Sequence, residues 1–169
     1  SFRKPLIVMS PKKLLKLKEA GCKIEEFGPG LRFKRTIEER EPALIKDDKE
    51  VKRIVFCTGQ VYYDLAKERR SREDSTTVII TIEQLSPVPY DHLKKHFEQY
   101  PNVTDIVWCQ EEPKNYGAFS YLKPRMESLF KKLGMEGKAT LRYAGREPNS
   151  SPATGFAKVH IQQQKDLIG

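Results

Sequence analysis

No apolar run in this chain approaches the roughly 18 residues needed to span a bilayer, and no leader pattern stands at its start. Both absences argue against a membrane partner. Cysteine is scarce, with three residues, Cys22, Cys57 and Cys109. The number is odd, the spacing wide, and Cys57 and Cys109 lie inside apolar runs, which predicts buried free thiols in a reducing compartment instead of a disulfide framework. Histidine is equally scarce, with three residues. His92 and His96 stand four apart, as zinc ligands on a helix do, but Lys94 and Lys95 flank them and no HExxH glutamate is present, so a solvated helix face is expected and no metal site. His160 stands alone. No glycine-rich phosphate loop occurs either. The stretch CTGQ (57–60) offers only Gly59, which suits a tight strand-to-helix turn better than a phosphate cradle.

What the chain has in excess is positive charge, with a formal net charge of +8. The excess is lopsided. Residues 1–46 carry 12 Lys/Arg against 6 Glu, and residues 47–169 carry the remaining 19 against 17. The basic third lacks the interleaved aromatics of a single-strand binding surface, so nucleic acid is not expected as a partner.

Read along its length, the chain opens on PLIVM (5–9), a strand pattern. Ser10 and Pro11 read as N-cap and first-turn proline of a short helix that Gly21 would end. Residues 22–50, including the turn FGPG (27–30) and the charged stretch EEREPALIKDDKE, read as surface linker. From Val51 the pattern becomes regular. The β-rich runs 51–57, 76–82, 104–110 and 139–145 alternate with segments of helical period. Tyr90, Leu93, Phe97 and Tyr100 define one apolar face, and Phe119, Leu122, Met126 and Leu129 another. Pro124 predicts a kink or restart near Lys123. The alternation specifies an α/β fold of three layers, a mostly parallel sheet with helices on both faces.

In such a sheet ligands bind beyond the carboxyl ends of the strands, which directs attention to WCQEEPKNYG (108–117). Glu111 and Glu112 are adjacent. In extended backbone they point to opposite faces, so they cannot serve one reacting atom as an acid/base pair. Structural work is expected instead. Pro113 ends the strand's pairing, Asn115 or Gly117 caps the helix opening near Ala118, and a carboxylate gains from that helix's dipole. The sequence contains no complete catalytic set.

Five blocks, RKPLIVMSPKKLL (3–15), VKRIVFCTGQVYYDL (51–65), IEQLSPVPYD (82–91), WCQEEPKNYGAFSY (108–121) and RYAGREPNSSPATG (142–155), run in order along nearly the whole chain. Together they resemble the C-terminal segment of the 2-oxoglutarate dehydrogenase family, the thiamine-diphosphate-dependent first component of that complex. The sister 2-oxoadipate family shares QEEP, but FCTGQVYYDL and YAGREP followed by SPATG look closer to the 2-oxoglutarate branch. The resemblance implies a transketolase-like parent in which residues 1–50 are the end of a preceding pyrimidine-binding domain plus connector, and 51–169 a transketolase C-terminal-like domain. It implies a homodimer that decarboxylates 2-oxoglutarate in the citric acid cycle and passes a succinyl group to the lipoyl-bearing succinyltransferase component. The expected location is the mitochondrial matrix in a eukaryote or the cytoplasm in a bacterium. Thiamine diphosphate and Mg²⁺ would be held upstream, because the family's GDG motif and following asparagine are absent here. For bacterial relatives the resemblance implies an acetyl-CoA or adenine-nucleotide effector on this domain, and here Gln84 matches the glutamine they use. The arginines expected after the PxP turn are replaced by Tyr90, Asp91 and His92, leaving Arg3, Arg32 and Lys34 as substitutes. The reading from a different class, carried by sheet topology and the basic N-terminal segment alone, is a free-standing anion- or nucleotide-binding module.

Overall fold

The computed structural model describes residues 2–169, which fall into two compact units, one ending at Phe33 and one running from Lys34. In the first, the expected strand is not formed. Residues 5–9 pair with nothing in a ladder, and Leu6, Ile7, Val8 and Met9 are exposed. A strand has no internal hydrogen bonds and requires a neighbour. The expected helix is also replaced. Lys12–Lys16 and Lys18–Ala20 are two 3₁₀ turns separated at Leu17, and Pro11, not Ser10, precedes the first. Neither turn buries a residue, so no tertiary packing offsets the cost of nucleating a longer helix. Gly21 does end the second turn, with its N–H on the Lys18 carbonyl.

The second unit is a five-stranded sheet in the order β1-β3-β2-β4-β5. The strands are β1 (Thr36–Ile37), β2 (Arg53–Cys57), β3 (Thr77–Ile82), β4 (Asp105–Pro113) and β5 (Leu141–Arg146). All pairs are parallel except β1 with β3. The connections are helical: α1 (Val61–Ser71), α2 (Tyr90–Gln99) and α3 (Phe119–Lys132), with α4 (Ala157–Ile168) following β5. Period-two alternation divides the sheet residues between two cores. Ile54, Phe56, Ile80, Ile106 and Trp108 pack with Leu93, Phe97, Leu122, Met126 and Phe130 of α2 and α3. Val55, Cys57, Ile79, Val107 and Cys109 pack with Val61, Tyr62 and Ala66 of α1 and Leu167 of α4. This is the three-layer architecture expected from the strand and helix periods.

Two helical expectations need correction. Tyr90 is 42% exposed, although Leu93, Phe97 and Tyr100 are buried as predicted. α3 runs unbroken from Phe119 to Lys132 through Pro124, so there is no restart near Lys123. Phe119 and Leu122 before the proline, and Met126, Leu129 and Phe130 after it, are all buried. At about 1.5–3 kcal/mol per buried side chain, that packing outweighs the roughly 3 kcal/mol that an interior proline costs.

Residues 46–50 of the expected linker are exposed as predicted, but the stretch around Thr36–Glu41 is drawn into the fold. Thr36 and Ile37 pair antiparallel with Ile82 and Thr81, and the Arg35 carbonyl accepts the amides of Glu83 and Gln84. Where β1 stops, side chains continue the ladder. The Glu39 carboxylate accepts the Ile79 N–H at 3.1 Å, and Arg69 donates to the Thr77 carbonyl at 3.2 Å. Charge alone reads as solvated, and nothing local marks Glu39 and Arg69 as charges paired under cover.

Candidate functional site

β2 connects through α1 to β3 on one side, while β4 lies on the other side of β2. The carboxyl ends of β2 and β4 therefore flank the switch point at which open α/β sheets bind ligands. Gly59 turns the chain there with φ +76, a conformation that favours glycine. A Cβ at Gly59 would meet nothing within 4 Å, so the glycine is required by the turn and not by a close neighbour. The gap itself is bridged. Gln60 Nε2 donates to Glu111 Oε1 at 3.2 Å, joining the start of α1 to the end of β4.

The residue that organises the QEEPKNYG turn is Gln110, 2% exposed, which the sequence reading passed over. Its Oε1 accepts from Trp108 Nε1 at 2.7 Å and from the amides of Ala118 and Phe119 at 3.2 and 3.1 Å. Its Nε2 donates to the carbonyls of Glu112, Pro113 and Tyr116 at 3.2, 3.1 and 2.8 Å. One amide thus satisfies the opening N–H groups of α3, which helices leave unpaired, and pins the turn's carbonyls. The signal available was its parity: Gln110 follows Trp108 by two within an apolar strand, so it faces the same core and needs partners there.

The expected roles of its neighbours are revised accordingly. Asn115 does not cap α3. Its Nδ2 donates to the Asn149 carbonyl at 2.8 Å and its Oδ1 accepts the Asn149 amide at 3.0 Å, binding the turn to the loop after β5. Tyr116 adds a hydrogen bond from its hydroxyl to the Ser150 carbonyl at 2.9 Å. Gly117 is not a cap either. It has φ +64, and a Cβ there would lie 2.8 Å from the Gln110 amide. Glu111 and Glu112 share no partner. The Glu111 carboxylate takes Gln60, and its carbonyl takes Arg146 Nη1 at 2.5 Å. Glu112 is exposed, and its carbonyl receives Gln110 and Tyr143. Cys57 and Cys109 are free and buried as expected. Burial pushes the Cys109 thiol up to about 12 and the Cys57 thiol well above its ordinary value, which leaves neither as a thiolate nucleophile.

Arg146 carries the outer end of the sheet. Its Nη2 reaches Gln164 Oε1 at 2.9 Å and lies 3.2 Å from His160 Nδ1, and Gln164 Nε2 donates on to Asp64 of α1 at 3.0 Å. Between β5 and α4 lies a cleft of about 650 Å³ floored by Val55, Val107 and Cys109. Its arginines are already engaged. Arg53 and Arg142 both bond Asp105, Arg72 bonds Glu68, and Arg146 is held as described. It is not a preformed anion site.

The effector residues are dispersed between the two units. Arg3 and Arg32 are exposed in the first. In the second, Gln84 Nε2 is taken by the Pro87 carbonyl at 2.7 Å, and Lys34 is exposed. Asp91, standing where the resemblance expects positive charge, forms a two-point ion pair with Arg35 at 2.7 and 3.2 Å. The two histidines depart most from expectation. His96 is 3% exposed, and both rings face one hydroxyl. Thr36 Oγ1 lies 3.2 Å from His92 Nδ1 and 3.3 Å from His96 Nε2. Among the described residues no group of three or more His, Cys, Asp or Glu is placed to hold a metal ion, and no helix is long and apolar enough to cross a membrane.

The strand order and parallel pairing define a doubly wound α/β domain whose β2/β4 switch point is spanned by Gln60 and Glu111. Comparison with known proteins makes this particular. The model of the family described as "2-oxoglutarate dehydrogenase C-terminal" matches residues 21–169, and the chain belongs to that family. It is 44% identical over 168 residues to "2-oxoglutarate dehydrogenase, mitochondrial" of Caenorhabditis elegans, covering 99% of this chain and 16% of that protein. It is 43% identical over 167 residues to "2-oxoglutarate dehydrogenase E1 component" of Haemophilus influenzae, covering 99% of this chain and 17% of that protein. Against "2-oxoglutarate dehydrogenase-like, mitochondrial" of Pongo abelii the identity is 40% over 168 residues, 99% of this chain and 16% of that protein. The chain therefore spans about a sixth of the length of these curated relatives.

Proposed function

We propose that this chain is the non-catalytic C-terminal domain of a 2-oxoglutarate dehydrogenase that performs oxidative decarboxylation of 2-oxoglutarate and hands a succinyl group to a lipoyl-bearing partner component. The observation that carries the reading is the closed switch point. Gln60 spans to Glu111, and Gln110 uses its whole amide on Trp108, the turn and α3, so the residues at the usual ligand edge are spent on holding two loops in place. A pair doing acid/base work must flank one reacting bond, whereas the Glu111 carboxylate is taken by Gln60 and the Glu112 side chain is exposed. Thiamine diphosphate and Mg²⁺ are assigned to the parent's upstream part, and the division at about residue 50 between a preceding domain's end and the C-terminal domain belongs to the same proposal. So do the homodimer, the placement in mitochondrial matrix or bacterial cytoplasm, and the choice of 2-oxoglutarate over 2-oxoadipate as parent substrate. The test is reconstitution. The parent polypeptide should oxidise 2-oxoglutarate, with little turnover of 2-oxoadipate, and should lose assembly along with activity when this segment is deleted. A truncated parent that keeps its assembly and its full rate would refute the supporting role.

A further inference from the structure

We propose that Thr36, held between His92 and His96, is a pH-sensitive latch that fastens the edge strand β1 to the sheet and lets go when both imidazoles carry a proton. The geometry is specific. Thr36 is the first residue of β1, is 5% exposed, and pairs with Ile82 of β3. Its single hydroxyl faces a ring nitrogen from each of two histidines one turn apart on α2, at 3.2 and 3.3 Å.

A threonine hydroxyl has one proton to give, and its oxygen accepts. With both rings neutral, one ring donates N–H to Oγ1 and the hydroxyl donates to the bare nitrogen of the other. With one proton added the arrangement survives, because the charged ring donates and the neutral one still accepts. His92 is partly exposed, and its Nε2 lies 3.9 Å from Asp91. A second proton removes the last bare nitrogen. The hydroxyl's hydrogen is then left without an acceptor in a buried position, and two cations share one turn of helix. The charged groups around the pair are Asp91, whose carboxylate is shared with Arg35, and Glu38. Burial holds His96 below the ordinary histidine value. Glu38 opposes that shift and His92 adds to it. The latch is therefore intact above the histidine's unfolded value, near 6.5, and weakens as pH falls below it.

What the latch holds is the start of the edge. Thr36 and Ile37 pair with Ile82 and Thr81, and the Arg35 carbonyl accepts the Glu83 and Gln84 amides, whereas Glu39 beyond β1 is anchored separately by Arg69. Unpaired edges are where sheets recruit other strands.

The test is amide hydrogen exchange on the 169-residue chain between pH 7.5 and 5, corrected for intrinsic rates. The amides of Glu83 and Gln84, both accepted by the Arg35 carbonyl, should lose protection at least tenfold relative to Phe56 in central β2, while that of Ile79, accepted by the separately anchored Glu39, should not. His96→Gln, which keeps hydrogen-bonding capacity but does not titrate, should flatten that dependence. An unchanged dependence in His96→Gln, or a flat profile in the wild type, overturns the latch. Should the variant not fold, histidine titration by NMR in the wild type decides. The His96 ring should titrate below 6.5 together with loss of the Thr36 and Ile37 signals, and a titration that leaves those signals in place overturns the proposal.

Discussion

Arg69 and Glu39 form a nearly dry ion pair, 2.5 Å apart with side chains 3% and 5% exposed, and together they finish the hydrogen-bond ladder that β1 leaves incomplete. Glu41 joins from the other side, bonding both Arg69 and Arg70. Breaking one partner of a buried pair leaves a charge uncompensated, at about 3–5 kcal/mol. Arg69→Met should therefore destabilise the chain by that order in denaturant unfolding. Adding Glu39→Gln should recover part of the loss, because the stranded charge is gone. A double variant no more stable than Arg69→Met would show the carboxylate to be unimportant.

The same pair sets an acid limit. Burial raises the Glu39 carboxyl, but the hydrogen bonds from Arg69 and the Ile79 amide and the Arg69 charge outweigh it and leave it below the usual carboxylate range. The folded form is thus favoured while Glu39 is ionised. Its contribution is present above the ordinary carboxylate value and lost as pH falls through the lower folded one. Unfolding midpoints measured from pH 6 to 3 should fall less steeply in Glu39→Gln than in wild type.

Gln110 predicts the largest single-residue effect at the candidate site. Alanine there removes one acceptor from three donors and one donor from three carbonyls. With buried unsatisfied groups at roughly 1–3 kcal/mol each, a loss of about 3 kcal/mol or more is expected in chemical denaturation. Gly117→Ala should also destabilise, by about 1–2 kcal/mol, because its backbone is left-handed and its Cβ would press on the Gln110 amide. Native-like stability in either variant would contradict the bonding described.

The legible part of this molecule was the part written in periodicity. β2 to β5 fall where alternating runs placed them, and Leu93, Phe97, Leu122 and Met126 are buried as their spacing required. What pattern could not convey was pairing at a distance. Glu39 and Arg69 are 30 residues apart, and nothing local distinguishes a charge that will be buried against a partner from one that will face water. Thr36 with His92 and His96 failed for the same reason, since a helix carrying Lys94 and Lys95 looks solvated until a strand from 56 residues earlier covers it. At the candidate site the adjacency of Glu111 and Glu112 drew attention away from Gln110. The carboxylates are conspicuous by type, and the glutamine matters by position.

For the carboxylates the expectation concerns the parent enzyme. Alanine at Glu111 removes the bridge to Gln60, and at Glu112 it removes an exposed side chain whose carbonyl does the bonding. Stability or assembly should change more than chemistry. Single-turnover decarboxylation should stay within about tenfold of wild type, roughly 1.4 kcal/mol of barrier. A thousandfold loss with assembly intact would restore an acid/base role.

The last prediction concerns ligands of the chain on its own. Neither thiamine diphosphate with Mg²⁺ nor acetyl-CoA should bind it well, for different reasons. For the cofactor, the diphosphate-binding motif does not occur in the sequence, and saturable micromolar binding in a calorimetric titration would contradict this. For acetyl-CoA the argument is electrostatic. Arginine grips phosphate through a fixed fork of donors, and at the position in question Arg35 already spends its fork on Asp91, while Gln84 spends its amide on the Pro87 carbonyl. A dissociation constant of about a millimolar or weaker, about 4 kcal/mol of binding, follows. Asp91→Asn releases Arg35 and removes a repelling charge, so it should tighten acetyl-CoA binding severalfold, with the gain fading as salt is raised. Low-micromolar binding by the wild type would show that Arg3, Arg32 and Lys34 do supply the missing grip, and an Asp91→Asn variant that binds no better would show that the Arg35–Asp91 pair is not what withholds it.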